Sequence, residues 1–182
     1  MSKFFFILFY FFFISNLHAD NKDEIIQNLT NIKNLDFNFE QNINGKIENG
    51  TCTIKYPKKI YCEYARSNNK ILVSNGKSLV IKTRTSYYRY PLKKTPLNLI
   101  LDKNFIVKKI LTLDERVIGD NLINYTIIDK NNEISIFFDS ETFNLVGWQN
   151  TDIYQNFNIT FLSSVRKNVV IPKKLFELPS QN

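Results

Sequence analysis

The sequence predicts a mainly β protein with some α: one curved antiparallel sheet covered by an N-terminal helix and a short inserted helix. Three observations carry this prediction. Short runs rich in Ile, Phe, Thr and Tyr alternate apolar with polar residues, the period of a half-buried strand. Turn-forming residues separate these runs at close intervals. Only two stretches, 21–33 and 96–101, carry helical spacing or a helical start. A curved sheet with one apolar face needs cover, and those two helices are the segments that can supply it.

The chain opens with Lys3, an unbroken apolar run from Phe4 to Ile14, the polar break Ser15-Asn16 and the exit Leu17-His18-Ala19. A positive charge, a short apolar run and a small residue before a polar segment form a secretory signal peptide. The run falls short of the roughly 20 residues that a spanning helix needs. Cleavage after Ala19 is expected, leaving one exported domain over 20–182 with no cysteine at the cut to carry a lipid anchor.

Ile25, Leu29 and Ile32 recur at helical spacing, with Asp23 and Glu24 early and Lys33 late, so 21–33 reads as a helix. Leu35, Phe37, Phe39, Gln41 and Ile43 alternate with polar residues up to the turn Asn44-Gly45. The next two runs, 51–56 and 60–64, form a hairpin around Pro57-Lys58-Lys59. Ile71–Val73 and Leu79–Ile81 flank Asn75-Gly76, a strong hairpin signal. Tyr87–Leu92 makes another strand, and Pro96 opens one or two helical turns over Leu97–Leu101. The second half is a meander of short strands at 123–128, 134–138, 145–149 and 157–162. Turn-like separators lie at 130–132, 139–141 and 154–156.

Period two places Cys52, Ile54 and Tyr56 on one face of the first hairpin strand, and Ile60, Cys62 and Tyr64 on one face of the second. A three-residue loop at 57–59 would set Cys62 opposite Ile54 and diagonal to Cys52. That diagonal is longer than a relaxed disulfide, so pairing requires a bulge or a shifted register. Export favours oxidation. The alternative, two buried free thiols, stays open at this level.

The formal net charge is +7, from 24 Lys and Arg against 17 Asp and Glu. Export argues against nucleic acid as the partner, and the basic residues do not cluster. They form separated doublets, Lys58-Lys59, Lys93-Lys94, Lys108-Lys109 and Lys173-Lys174. Solvated strand ends and turns are the favoured explanation of these doublets, over attraction to anionic lipid or an acidic partner surface.

Catalytic groups are scarce. The single histidine, His18, leaves with the signal peptide, which removes His-paired nucleophiles and His-ligated zinc. Five glycines form no phosphate loop, and Cys52 and Cys62 have no CxxC spacing, so no cofactor and no metal are expected. Asp114-Glu115 and the pair Asp139 and Glu141 fall in turns rather than in a cleft of the kind a carboxylate dyad needs. The chain is expected not to be an enzyme, a carboxylate-only hydrolase being the one enzymatic alternative.

Phe39-Glu40-Gln41, then Gly50-Thr51-Cys52 with Pro57, then Leu72 to Leu79, then Thr95-Pro96-Leu97 follow one another in an order and spacing that resemble the periplasmic outer-membrane lipoprotein carrier family, LolA. The ending Phe176-Glu177-Leu178-Pro179 is similar to that family's Phe-x-x-Pro close. Leu145-Val146-Gly147-Trp148 with Asp152 is similar to its alphaproteobacterial variants. The resemblance implies an incomplete antiparallel β-barrel closed by helices over an apolar cavity.

It also implies a function: a monomeric periplasmic carrier that takes acylated lipoproteins from an inner-membrane ABC transporter to an outer-membrane acceptor. Phe37, Phe39, Ile54, Tyr56, Ile60 and Tyr64 are then the expected cavity wall, with Leu97, Ile100 and Leu101 on the lid helix. Many members of the family carry an arginine before the hairpin proline that holds the lid shut. Here that position is Tyr56, whose hydroxyl can bond lid carbonyls but carries no charge. A periplasmic lipid or lipoprotein sensor, or a carrier of another lipid, is the alternative. Such sensors usually add a C-terminal domain, whereas this chain stops soon after Pro179.

Overall fold

The computed structural model describes residues 21–65, 67–119, 121–130, 132–151 and 155–181. The expected signal peptide at 1–19, Asp152 and parts of the separators at 131 and 154 lie outside them. Helix α1 (Asn21–Asn31) leads into strands β1 (Asn34–Ile43), β2 (Lys46–Lys55), β3 (Lys59–Tyr64), β4 (Ile71–Asn75), β5 (Ser78–Lys82) and β6 (Tyr87–Pro91). A 3-10 turn (Leu92–Lys94), helix α2 (Leu97–Ile100) and helix α3 (Lys103–Ile110) follow. The chain ends with β7 (Arg116–Ile118), β8 (Leu122–Asp129), β9 (Asn132–Asp139), β10 (Leu145–Thr151) and β11 (Phe157–Lys167).

All eleven strands form one curved, unclosed antiparallel sheet in the order β6-β5-β4-β3-β2-β1-β11-β10-β9-β8-β7. The first strand pairs with the last, from Leu35 against Lys167 to Ile43 against Asn158. This places β6 and β7 at opposite edges although they are consecutive in sequence. Their connection, 92–115, therefore has to cross from one edge to the other, and it carries α2 and α3 across the concave face.

Most of the sequence expectations match these elements; three features differ. Helix α3 has no counterpart among the expected elements. Its run Phe105-Ile106-Val107 is as compatible with a strand as with a helix, and the deciding signals are local. Asp102 accepts a hydrogen bond from the Phe105 amide (3.1 Å), and Lys108 and Lys109 occupy the last turn. Strand β7 is three residues long and entirely exposed, too short for periodicity to reveal.

The third difference is the register of the cysteine hairpin. Cys52 stands directly opposite Cys62, Ile54 opposite Ile60 and Lys55 opposite Lys59. The three-residue loop is thus 56–58, and Tyr56 lies outside the β2–β3 ladder. Its amide donates instead to the Lys33 carbonyl (3.1 Å), while the Lys58 amide donates to Leu101 (2.9 Å). The turn contains a cis Tyr56–Pro57 bond and a left-handed Lys58. In this register the two cysteines form a disulfide with Cα atoms 4.1 Å apart. At the β1–β2 turn, Asn44 and Gly45 both have positive φ, the conformation that Asn-Gly favours in a two-residue hairpin.

The core occupies the concave face. Ile25 and Leu29 of α1, Ile100 of α2, and Ile106 and Ile110 of α3 pack in one cluster with inward residues of β1 to β5 and β8 to β10. Val73 and Val80, which alternate to the other face, are also buried, as is Phe176 of the C-terminal stretch. That stretch is tied to the start of β1, where the Val169 amide donates to Asn34 (2.9 Å), and to β5, where Lys82 donates to the Ser180 carbonyl (2.8 Å).

Candidate functional site

The helices do not cover the two sides of the sheet alike. Helix α1 is fastened to the β9–β10 turn by Asn28, whose amide donates to the Thr142 and Phe143 carbonyls (3.1 and 3.3 Å). Two lysines then strap α1 to α3. Lys22 donates to the Leu113 carbonyl (2.9 Å), and Lys103 donates to the Thr30 and Ile32 carbonyls (2.8 and 2.7 Å) at the C-terminal end of α1. A cation at that end also meets the negative pole of the helix. Burial lowers the pKa of the Lys103 ammonium.

The region under α2 is different. A cavity of about 180 Å³ lies there, walled by Phe39 of β1, Cys52 of β2, Ile60, Cys62 and Tyr64 of β3, Leu72 of β4, Leu79 and Ile81 of β5 and Trp148 of β10, and roofed by Thr95, Pro96 and Leu97. A dry apolar cavity of about 150 Å³ accepts one benzene ring. A long acyl chain therefore enters only if the roof moves.

Ile100 and Leu101 anchor the roof in the core, and Lys58 ties it to the β2–β3 turn. The Lys58 ammonium pairs with Asp102 (2.9 Å) and donates to the backbone carbonyl and side-chain oxygen of Asn98 (2.8 and 3.0 Å). It sits in the β2–β3 turn, two residues beyond Tyr56. The Tyr56 hydroxyl makes no hydrogen bond to α2; its ring instead lies 5.9 Å from the Lys103 ammonium, and burial raises its pKa. One member of the Lys58-Lys59 doublet is thus part of a lid contact rather than a solvated charge. The sequence hint was its place beside the turn proline.

Gly50 shapes the wall. It sits between Phe39 on β1 and Tyr64 on β3, whose rings meet edge-on at 5.0 Å. A Cβ at Gly50 would lie 2.0 Å from the Glu63 carbonyl oxygen and 2.9 Å from the Phe39 ring. Above Tyr64 rests the Lys70 ammonium, 3.9 Å from the ring centroid and ion-paired with Glu48. Burial pushes the Glu48 carboxyl up, but the hydrogen bonds and charges of Lys70 and Lys46 outweigh it and leave the pKa below the ordinary value. Tyr64 is shifted up, by burial first and by the Glu48 charge second.

Of the residues expected at the wall, Phe39, Ile60, Tyr64 and Leu97 line the cavity together, along with the disulfide. Phe37, Ile54, Ile100 and Leu101 lie in the packed core, and Tyr56 packs partly buried against it. Phe37 meets Trp148 edge-on at 6.3 Å, so it lies one ring behind the cavity surface. Sequence reasoning did not place Trp148, Leu72, Leu79 or Ile81 at the site, nor the polar group Gln41, Asn150, Asn158 and Thr160. The apolar runs of β4, β5 and β10 were legible, but not which side of each faces the cavity. That β10 faces β3 across the same cavity follows only from the β1–β11 pairing.

The acidic pairs serve other ends. Asp139 caps the β9–β10 turn, its carboxylate held below the usual range by the Thr142 hydroxyl and then by the Thr142 amide. Glu115 accepts from Asn21 and from Tyr125 (both 3.3 Å). Among the described residues, no group of three or more His, Cys, Asp or Glu side chains could hold a metal ion, and no helix is long and apolar enough to cross a membrane.

A half-open antiparallel barrel with an apolar cavity beneath a helical roof belongs to the class of hydrophobic-ligand-binding folds. The chain belongs to the LolA family: residues 30–179 match the profile described as "Outer membrane lipoprotein carrier protein LolA". Members of this family are carrier or binding proteins, and LolA-like relatives are periplasmic or exported.

The chain is similar in fold to an uncharacterized conserved protein from Thermus thermophilus, at 7% identity and a TM-score of 0.51, over 88% of this chain and 93% of that one. It also aligns with the LolA superfamily protein NE2245 from Nitrosomonas europaea, at 12% identity and a TM-score of 0.41, over 87% and 98% of the two chains. LprF from Mycobacterium bovis aligns at 14% identity and a TM-score of 0.44, over 85% and 97%. No curated protein matches the sequence.

Proposed function

We propose that this protein carries acylated lipoproteins across the periplasm, receiving them from an inner-membrane ABC transporter and passing them to an outer-membrane acceptor. The signal peptide at 1–19 exports it, and it works as a monomeric domain over 20–182. The observation that carries this reading is the apolar cavity under α2, roofed by one short helix that Lys58 ties to the hairpin turn. Each methylene removed from water is worth roughly 0.8 kcal/mol, so acyl chains need such a shield. Phe39, Ile60, Tyr64 and Leu97 touch the chains first. Phe37, Ile54, Tyr56, Ile100 and Leu101 join the wall once α2 lifts. Lys58 closes the roof from the far side of Pro57, in place of a charge at Tyr56.

Native mass spectrometry of the chain beginning at Asp20, mixed with a triacylated lipopeptide and its unacylated twin, tests the proposal. A one-to-one complex with the acylated peptide alone is expected. Binding of neither peptide would remove the lipoprotein-carrier reading and leave a sensor or a carrier of another lipid.

A further inference from the structure

The two ends of the cavity differ in chemistry. Beneath α2 the lining is Cys52, Ile60, Leu79 and Leu97. At the other end stand Gln41, Asn150, Asn158 and Thr160, brought together by the β1–β11 and β10–β11 registers, in which Gln41 faces Thr160 and Asn150 faces Asn158. This polar end is the mouth, because Lys70 and Ile81 also line an outer groove with Ile47 and Tyr88.

Three of the four polar side chains satisfy one another. The Gln41 amide donates to Asn158 (3.0 Å) and Thr160 (3.3 Å), and Gln41 accepts from the Tyr64 hydroxyl (3.3 Å). The Thr160 hydroxyl donates to Asn158 (3.4 Å). Asn150 is the exception. It is 7% exposed and lines the cavity, yet its carboxamide has no hydrogen-bond partner among the described residues. Among the described residues no fully buried side-chain N or O lacks a partner, so the Asn150 carboxamide opens onto the cavity, where a group that enters can complete its hydrogen bonds.

We propose that Asn150 is the hydrogen-bonding subsite for the ester or amide group that joins an acyl chain to its headgroup. The chain then lies tail-inward under α2, with Gln41, Asn158 and Thr160 as a neutral polar collar around the linkage. A free carboxylate fits less well. Among the described residues, the cations at the mouth, Lys70 and Lys46, are both already paired with Glu48, and that buried carboxylate repels a second one. This assignment rests on the acyl-carrier reading of the cavity.

Trp148 is the only tryptophan and lines the cavity, so its fluorescence reports occupancy directly. The chain from Asp20 is titrated with N-methyl lauramide and with dodecyl methyl ether, which share the tail and differ in hydrogen-bonding capacity. The amide should bind about fivefold tighter, the scale of one net hydrogen bond. In Asn150→Leu the ratio of the two affinities should fall to about one. Equal binding of both probes by the unaltered protein overturns the subsite and leaves the acyl cavity standing. A preference that survives Asn150→Leu overturns the assignment to Asn150. No binding of either probe overturns both readings. The comparison on the unaltered protein can still overturn the subsite even if the variant does not fold.

Discussion

The side of the sheet under α1 and α3 and the side under α2 are built from similar residues and end differently. Under α1 and α3, Ile123, Tyr125, Ile127, Ile136 and Phe138 are sealed by Ile25, Leu29, Ile106 and Ile110, and none of them touches the cavity. Two lysine straps and Asn28 fix that cover at both ends. Under α2 the strands are as apolar, but the roof is four helical residues held by Lys58. The lesson is that the cavity comes from too little cover rather than from special wall residues. A sheet this wide, with one connection crossing between its edges, carries helix enough to fill one side only.

Substitutions that remove the same kind of bulk from each side test this contrast most directly. Ile127→Ala, at a fully buried side chain on the packed side, should lower the unfolding free energy by about 4–5 kcal/mol, near the upper end of such changes. Leu79→Ala, beside an existing void, should cost about 2 kcal/mol, near the lower end of such changes. Urea denaturation measures both, and equal losses would erase the distinction between a packed and an open side.

The next effect is kinetic. Lys58→Met keeps the stem and removes the charge that joins the hairpin turn to Asn98 and Asp102. Both partners of the ion pair are partly exposed, so stability should fall by no more than about 1 kcal/mol. Release of a bound acyl probe, followed by stopped-flow Trp148 fluorescence, should quicken several-fold. An unchanged rate would mean that α2 is held by its apolar contacts alone.

The shallowest effect is the pH dependence of the cavity mouth. The folded pKa of Glu48 lies below its ordinary value of 4.5. The unfolded chain therefore takes up this proton first, and the stabilisation is complete above about pH 4.5 and fades as pH falls through the lower folded value. Glu48→Gln should flatten the acid limb of the stability profile relative to the unaltered protein. Equally steep limbs would show that Lys70 and Lys46 do not hold this carboxylate ionised.

Much of this arrangement was legible in the residues themselves. Alternation from Leu35 to Ile43 and from Thr51 to Tyr64 marks strands because period two is a local property of the chain. Asn44-Gly45 and Asn75-Gly76 mark hairpins because few residues other than Asn and Gly tolerate positive φ. Helix α1 shows in the spacing of Ile25, Leu29 and Ile32. The ordered set from Phe39 to Pro179 pointed to the family before any fold was in hand.

What sequence alone determined, then, is every strand but β7, the faces of β1 and the cysteine hairpin, and the family. The tertiary structure decided which inward faces stay uncovered. The Cys52–Cys62 pairing depends on Tyr56 leaving the ladder to bond Lys33, a contact between segments that local propensity does not report. Trp148 and Asn150 reach the cavity only because the last strand pairs with the first. Lys58 becomes a fastener only because the crossing segment brings Asn98 and Asp102 over the hairpin turn. Periodicity is written residue by residue, whereas cover and cavity are set by contacts between distant parts of the chain, and those exist only once the sheet has curved.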